Sequence, residues 1–140
     1  MNLIAVILAA PDTKTRFLEA SKLLNYGYAN YSIYTDHNSD TVLTPVKVTR
    51  GVAENVQGKT SSEFSYLCTK GMSPENIVKE VTLYDKIEAP VASGAKIGEI
   101  TYQYDNKKIG SVDIVASEAV DQAGLKDYFM KIVKKFFIGK

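Results

Sequence analysis

Two stretches of the chain carry the letters of nucleophilic serine chemistry. In Ser93-Gly94-Ala95-Lys96 a serine precedes a lysine by three residues, the spacing at which an amine can act as base on a hydroxyl across one helical turn. Lys59-Thr60-Ser61 has two of the three letters of a Lys-Thr-Gly strand, a platform for a substrate carboxylate and an oxyanion. Local context argues against both. Gly94, the Ala-Pro-Val run before it and the Ile-Gly pair after it put Ser93 in a turn, where Lys96 cannot fold back onto the hydroxyl. Ser61 places a side chain where only glycine allows close approach. Lys14-Thr15-Arg16 fails at the same third position and reads as a helix start. No catalytic residue is assigned.

His37 and Cys68 are the only residues of their types. They exclude a two-histidine metal motif, a cysteine-rich metal site and an intrachain disulfide, and they leave little for a Ser-His-Asp triad. Flanked by Asp36, Asn38, Ser39 and Asp40, His37 reads as a surface residue. Gly51, Gly58 and Gly71 stand singly and give no phosphate-cradling spacing. Neither a metal nor a cofactor is expected.

The elements that must position these residues follow from pattern. With 140 residues, 45% apolar and 24% charged, the chain suits a soluble globular domain. Leu3 to Leu8 is a continuous apolar run of strand length, the pattern of a strand buried on both faces. It lacks the charged leader of a signal peptide and ends at Pro11-Asp12. Asp12 or Thr13 can cap a helix with apolar positions Phe17, Ala20, Leu23 and Leu24, and Gly27 offers a stop.

From Tyr31 the period changes to two. The segments 32–35, 46–49, 54–56, 64–68, 78–84, 97–104 and 111–116 read as strands of a small antiparallel sandwich, with a tight turn at Asp105-Asn106-Lys107-Lys108. After Gly124, the residues Leu125, Tyr128, Phe129, Ile132, Val133, Phe136 and Phe137 recur at helical spacing. The fold class is α+β, with boundaries giving 1–31, 32–121 and 122–140.

The run Leu-Ile-Ala-Val-Ile-Leu-Ala-Ala-Pro-Asp-Thr through Leu-Leu-Asn-Tyr-Gly-Tyr, residues 3–28, resembles the last strand and closing helix of the transpeptidase-like domain in serine-type D-alanyl-D-alanine carboxypeptidases, the low-molecular-mass penicillin-binding proteins. Ile-Glu-Ala-Pro-Val-Ala-Ser-Gly-Ala-Lys-Ile-Gly-Glu-Ile-Thr-Tyr, residues 87–102, is similar to that family's C-terminal β domain. Residues 39–72 match loosely. The resemblance implies a parent enzyme that trims terminal D-alanine from peptidoglycan stem peptides through an acyl-serine, outside the cytoplasm and peripheral to its membrane. Its Ser-x-x-Lys, Ser-x-Asn and Lys-Thr-Gly motifs are expected upstream of Met1. The chain itself is then an inactive module that should not react with penicillin.

The family's C-terminal anchor gives the last helix a role. About 15 helical residues span roughly 22 Å, too short to cross a ~30 Å hydrocarbon core. Its apolar face, with Lys131, Lys134 and Lys135, suits the interface of an anionic membrane. The segment 125–140 has five lysines against Asp127 alone, and the rest of the chain is acidic on balance. That balance argues against nucleic acid as a partner. The alternative is a stand-alone β-sandwich that binds a protein or peptidoglycan. In either case residues 3–8 look like a strand without its sheet, and they or the terminal helix could join copies of the chain.

Overall fold

The computed structural model describes residues 1–38, 43–127, 129, 130 and 133. Helix α1 spans Thr13–Asn30. Asp12 is its N-cap, with Oδ1 accepting the Thr15 N–H at 2.8 Å and Oδ2 accepting the Thr15 hydroxyl at 2.7 Å, which satisfies one of the orphan donors of the first turn. Gly27 does not end the helix as the sequence pattern predicts. It is a buried notch: a Cβ there would lie 2.5 Å from Leu3 Cδ1. The helix runs one turn further, where the Asn30 amide closes on the Tyr26 carbonyl at 2.7 Å.

Leu3 to Leu8 is extended, yet among the described residues it pairs with no strand. Leu3, Ala5 and Ile7 are partly covered, and Leu3 and Ala5 share a groove with Leu24 and Gly27. Ile4 and Leu8 point away at 93% and 83% exposure. The expected burial on both faces is therefore not met, because α1 covers one face only. The covered stripe of α1 is Ala20, Leu24 and Gly27, whereas Phe17 and Leu23 are exposed.

Among the described residues the β region has nine strands: β1 Tyr31–Asp36, β2 Val46–Thr49, β3 Asn55–Val56, β4 Gly58–Thr60, β5 Phe64–Thr69, β6 Val78–Leu83, β7 Lys86–Glu88, β8 Lys96–Tyr104 and β9 Lys107–Ala116. They form a ribbon β1-β5, a sheet β3-β2-β7 and a sheet β4-β9-β8-β6. The pairing is not wholly antiparallel, since β2 runs parallel to β7. The short strands β4 and β7 have too few residues to show a period, so Lys59-Thr60 pairs in a ladder outside the strands that the sequence pattern predicts.

Alternation builds the core. Val46 and Val48 from one sheet meet Ile100, Tyr102, Val112, Ile114 and Ala116 from the other, while their neighbours in each strand face out. Asp105 and Asn106 both have positive φ, 49° and 61°, and Tyr104 pairs with Lys107. This is the two-residue primed turn that matches the twist of a hairpin.

Candidate functional site

The mimic motifs do not assemble. Ser93 and Gly94 occupy a turn in which the Ala95 N–H bonds the Ala92 carbonyl at 3.0 Å and Gly94 takes φ +84°. The Ser93 hydroxyl donates to the Ser117 carbonyl at 3.3 Å. Lys96 turns away to Glu99 and Asp113. Lys59 and Lys96 flank Val115 from opposite sides of β9, a two-strand separation of about 10 Å. His37 is on the surface, its Nδ1 2.7 Å from Glu63 Oε1, and that hydrogen bond raises its pKa. Cys68 is buried and free. Among the described residues no three His, Cys, Asp or Glu side chains converge as metal ligands would.

What the fold does assemble is a polar latch between the ribbon and the larger sheet. Lys79, Tyr102 and Gly110 are cross-strand neighbours in one row over β6, β8 and β9. Asp36 and Phe64, themselves partners across β1 and β5, close over that row. Phe64 stacks on the Tyr102 ring with centroids 3.8 Å apart and planes 7° apart, and it fills the space that a Gly110 side chain would take. The fully buried Tyr102 aims its hydroxyl between Asp36 Oδ2 at 3.0 Å and Asn38 Oδ1 at 2.8 Å.

Asp36 also accepts from Lys79 Nζ at 2.7 Å and from the Asn38 N–H at 2.8 Å. Burial alone would raise the Asp36 pKa, but these donors outweigh it and hold the carboxyl below its ordinary value. Burial first, then the Asp36 carboxylate, pushes the Tyr102 phenol up. Inward parity of Tyr102 is legible in β8. Its partners come from a distant ribbon, for which the sequence gives no signal.

On the opposite face of the sheet a β-bulge between Lys96 and Gly98 brings Lys96 and Glu99 to one side. Lys108 reaches Glu99 at 2.7 Å, and its hydrogen bond with that of Lys96 lowers the Glu99 pKa to about 2.

The third feature is the root of the C-terminal helix. The Val52 N–H bonds the Asp121 carbonyl at 2.9 Å and the Ala123 N–H bonds the Arg50 carbonyl at 2.8 Å. Val91 and Val120 exchange backbone bonds at 2.9 and 2.8 Å. Asp127 Oδ2 then accepts the Gly124 N–H at 2.8 Å, the return arm of a capping box. Residues 125–127, 129, 130 and 133 are helical. Leu125 is 92% and Phe129 66% exposed, so these two do not pack on the sandwich, and Val133 is partly covered. Tyr128, Lys131, Ile132, Lys134, Lys135, Phe136 and Phe137 lie outside the described residues. No helix of the described residues is long and apolar enough to cross a membrane.

Fold and site together define a β-sandwich module entered through a helix, in which the described residues bring no nucleophile to a base. The chain belongs to the family described as Penicillin-binding protein 5, C-terminal domain, whose model matches residues 31–122. That match starts with β1 and stops just short of Gly124.

Curated relatives are D-alanyl-D-alanine carboxypeptidases. DacF of Bacillus subtilis is 27% identical over 89% of this chain and 32% of its own length. DacA of Haemophilus influenzae is 30% identical over 98% of this chain and 36% of its own, and DacD of Escherichia coli is 30% identical over 91% and 34%. The chain thus spans about a third of the length of the curated relatives it matches. The solved penicillin-binding protein 5 of Haemophilus influenzae shares the fold, with a TM-score of 0.59 at 24% identity over 78% of this chain and 32% of that one. So does the solved PBP3 of Streptococcus pneumoniae, with a TM-score of 0.51 at 16% identity over 76% and 32%.

Proposed function

We propose that this chain is the non-catalytic C-terminal region of a D-alanyl-D-alanine carboxypeptidase, a spacer that holds a peptidoglycan-trimming domain at the surface of an anionic membrane. The observation that carries the membrane role is the pair of exposed apolar residues, Leu125 and Phe129, on a helix whose root is tied down by backbone bonds. Burying both in protein would be the ordinary fate of such a face. Left uncovered beside a lysine-rich sequence, they suit the headgroup layer, where the apolar face enters lipid and lysines meet phosphate. The tied root would fix the angle at which the sandwich stands off that surface.

At the other end, residues 3–8 have unpaired backbone groups on both edges and α1 leaves Phe17, Leu18, Leu23 and Tyr26 exposed. This supports a seam with the catalytic domain of the parent, which would add strands on either side of the segment. Helix α1 passes into β1 with no residue between them, so the two domains would be joined stiffly.

The membrane role is tested by liposome co-sedimentation of the chain and of a version ending at Gln122. Vesicles are neutral or contain anionic lipid, at two salt concentrations. Binding that needs both the helix and anionic lipid, and that weakens with salt, is expected. Equal binding of the shortened version, or none by either, overturns the anchor.

A further inference from the structure

We propose that the outer face of the four-stranded sheet carries a glycan-binding site in the trough around Gly98, with Tyr84 as the stacking platform and Thr82, Lys96, Glu99 and Thr101 as hydrogen-bonding groups.

The bulge makes this site. Strict alternation along β8 would put Lys96 on the core side with Ile100 and Tyr102. The extra residue instead turns Ile97 into the core, leaves Gly98 buried under Thr82 and Leu83, and places Lys96 on the outside with Glu99 and Thr101. Bulges that re-aim side chains in this way are enriched beside functional sites. Gly98 is required by close packing, since a Cβ would fall 2.5 Å from the Thr82 carbonyl. The resulting trough is lined by Thr82, Tyr84, Lys96, Gly98, Glu99 and Thr101.

The lining is chemically suited to a sugar. Tyr84 is 48% exposed and is held in line by its N–H bond to the Ile97 carbonyl at 2.9 Å. A half-exposed ring fits the apolar C–H face of a pyranose, and its hydroxyl can stay wet. Around it stand two threonine hydroxyls, an ammonium and a carboxylate, which supply donors and acceptors for ring hydroxyl and acetamido groups.

The charged pair is fixed in advance. Lys96 contacts Glu99 at 3.0 Å and also Asp113, while Lys108 holds Glu99 from the other side. Donors that are already ordered cost less to use in binding. Lys59, Lys96 and Lys108 balance Glu80, Glu99 and Asp113 on this face, so a neutral ligand fits it better than an anionic polymer. The ligand class that combines an apolar ring face, hydroxyls and no net charge is a chain of N-acetylated hexosamines. An open trough binds one sugar weakly and gains by engaging a repeating strand.

The site is on the sheet face and is independent of the terminal helix, so failure of the liposome test leaves it standing. The probe is the tetramer of N-acetylglucosamine, titrated to about 10 mM into the full isotopically labelled chain while backbone amide resonances are followed. Shifts centred on Thr82, Tyr84, Gly98 and Thr101 are expected. Tyr84→Ala should weaken binding about tenfold or more, and Tyr84→Phe should keep it within about twofold. Thr101→Val, on the same outward face, should weaken it with an unchanged fold.

A parallel titration uses a sugar-free peptide ending in D-Ala-D-Ala. The site is overturned if the peptide alone shifts these resonances. It is equally overturned by sugar shifts that map elsewhere, by full binding in Tyr84→Ala, or by no shifts at all.

Discussion

Asp36 is where the ribbon and the larger sheet are most tightly joined, and its ionisation should be visible in the stability of the chain. Its carboxylate takes an ammonium, a phenol and a backbone N–H within 3.0 Å, with side-chain exposure of 17%. A carboxyl held below its ordinary value stabilises the fold at every pH above about 4, the unfolded value. That contribution is lost as pH falls through the lower folded value. The groups facing it are Lys79, Tyr102, Asn38 and Tyr34, and only Asp36 titrates in that window. Urea unfolding between about pH 5 and pH 2 should therefore show a steep loss of stability, and Asp36→Asn should flatten it while lowering stability at neutral pH. An unchanged slope would mean that the latch is not carried by the charge. Glu99 and Asp12, also depressed, contribute to the slope that remains, with solvent screening reducing their weight. His37 has the opposite sign: its raised pKa adds stability only below its unfolded value, and that stability is lost as pH rises through the folded one. Its pair with Glu63 is largely in solvent, where screening leaves it little weight.

Between elements, the contact that decides how ribbon and sheet fit is the seat of Phe64 on Tyr102 and Gly110. An aromatic ring over a strand glycine covers backbone that would otherwise be bare, a device known to support sheets. A methyl at Gly110 would come within 2.5 Å of the Phe64 ring edge, and the ring is already pressed on Tyr102 and so has no easy retreat. Gly110→Ala should cost about 1–3 kcal/mol by overpacking, seen as a lower denaturation midpoint together with changed near-ultraviolet ellipticity. A neutral or stabilising effect would show that the ring has room to move. This seat was hidden in the sequence. Period two was enough to place β2, β5, β6, β8 and the turn at Asp105-Asn106, because each alternates over several residues. It could not show that Asp36 and Phe64, 28 positions apart in the chain, meet a row formed by Lys79, Tyr102 and Gly110. The bulge at Gly98 was equally illegible, since Lys96-Ile97-Gly98-Glu99 has no alternation to break. Gly27 misled for a physical reason: glycine ends helices through positive φ, but here it is kept for want of a side chain under Leu3.

At the scale of the molecule, the chain has a finished half and an unfinished one. The sandwich buries its own core, whereas among the described residues 11 of the chain's 19 large exposed hydrophobics fall within residues 1–33, and this N-terminal part is the unfinished half meant here. An extended segment with free donors and acceptors on both edges and an apolar outer face is a template for strand addition. In the isolated chain, the segment available to satisfy it is the same segment of another copy. The chain should therefore self-associate with rising concentration in sedimentation-velocity runs from about 1 to 100 μM. Val6→Lys places a charge on the exposed face without touching the sandwich, and a version starting at Asp12 removes the edge entirely. Both should sediment as monomers with unchanged circular dichroism of the β region. Association that persists in both would move the contact to the C-terminal helix, and the version ending at Gln122 would then be the monomer. A wild-type chain that stays monomeric over the whole range would show that α1 alone satisfies residues 3–8, and it would remove the support for a seam there.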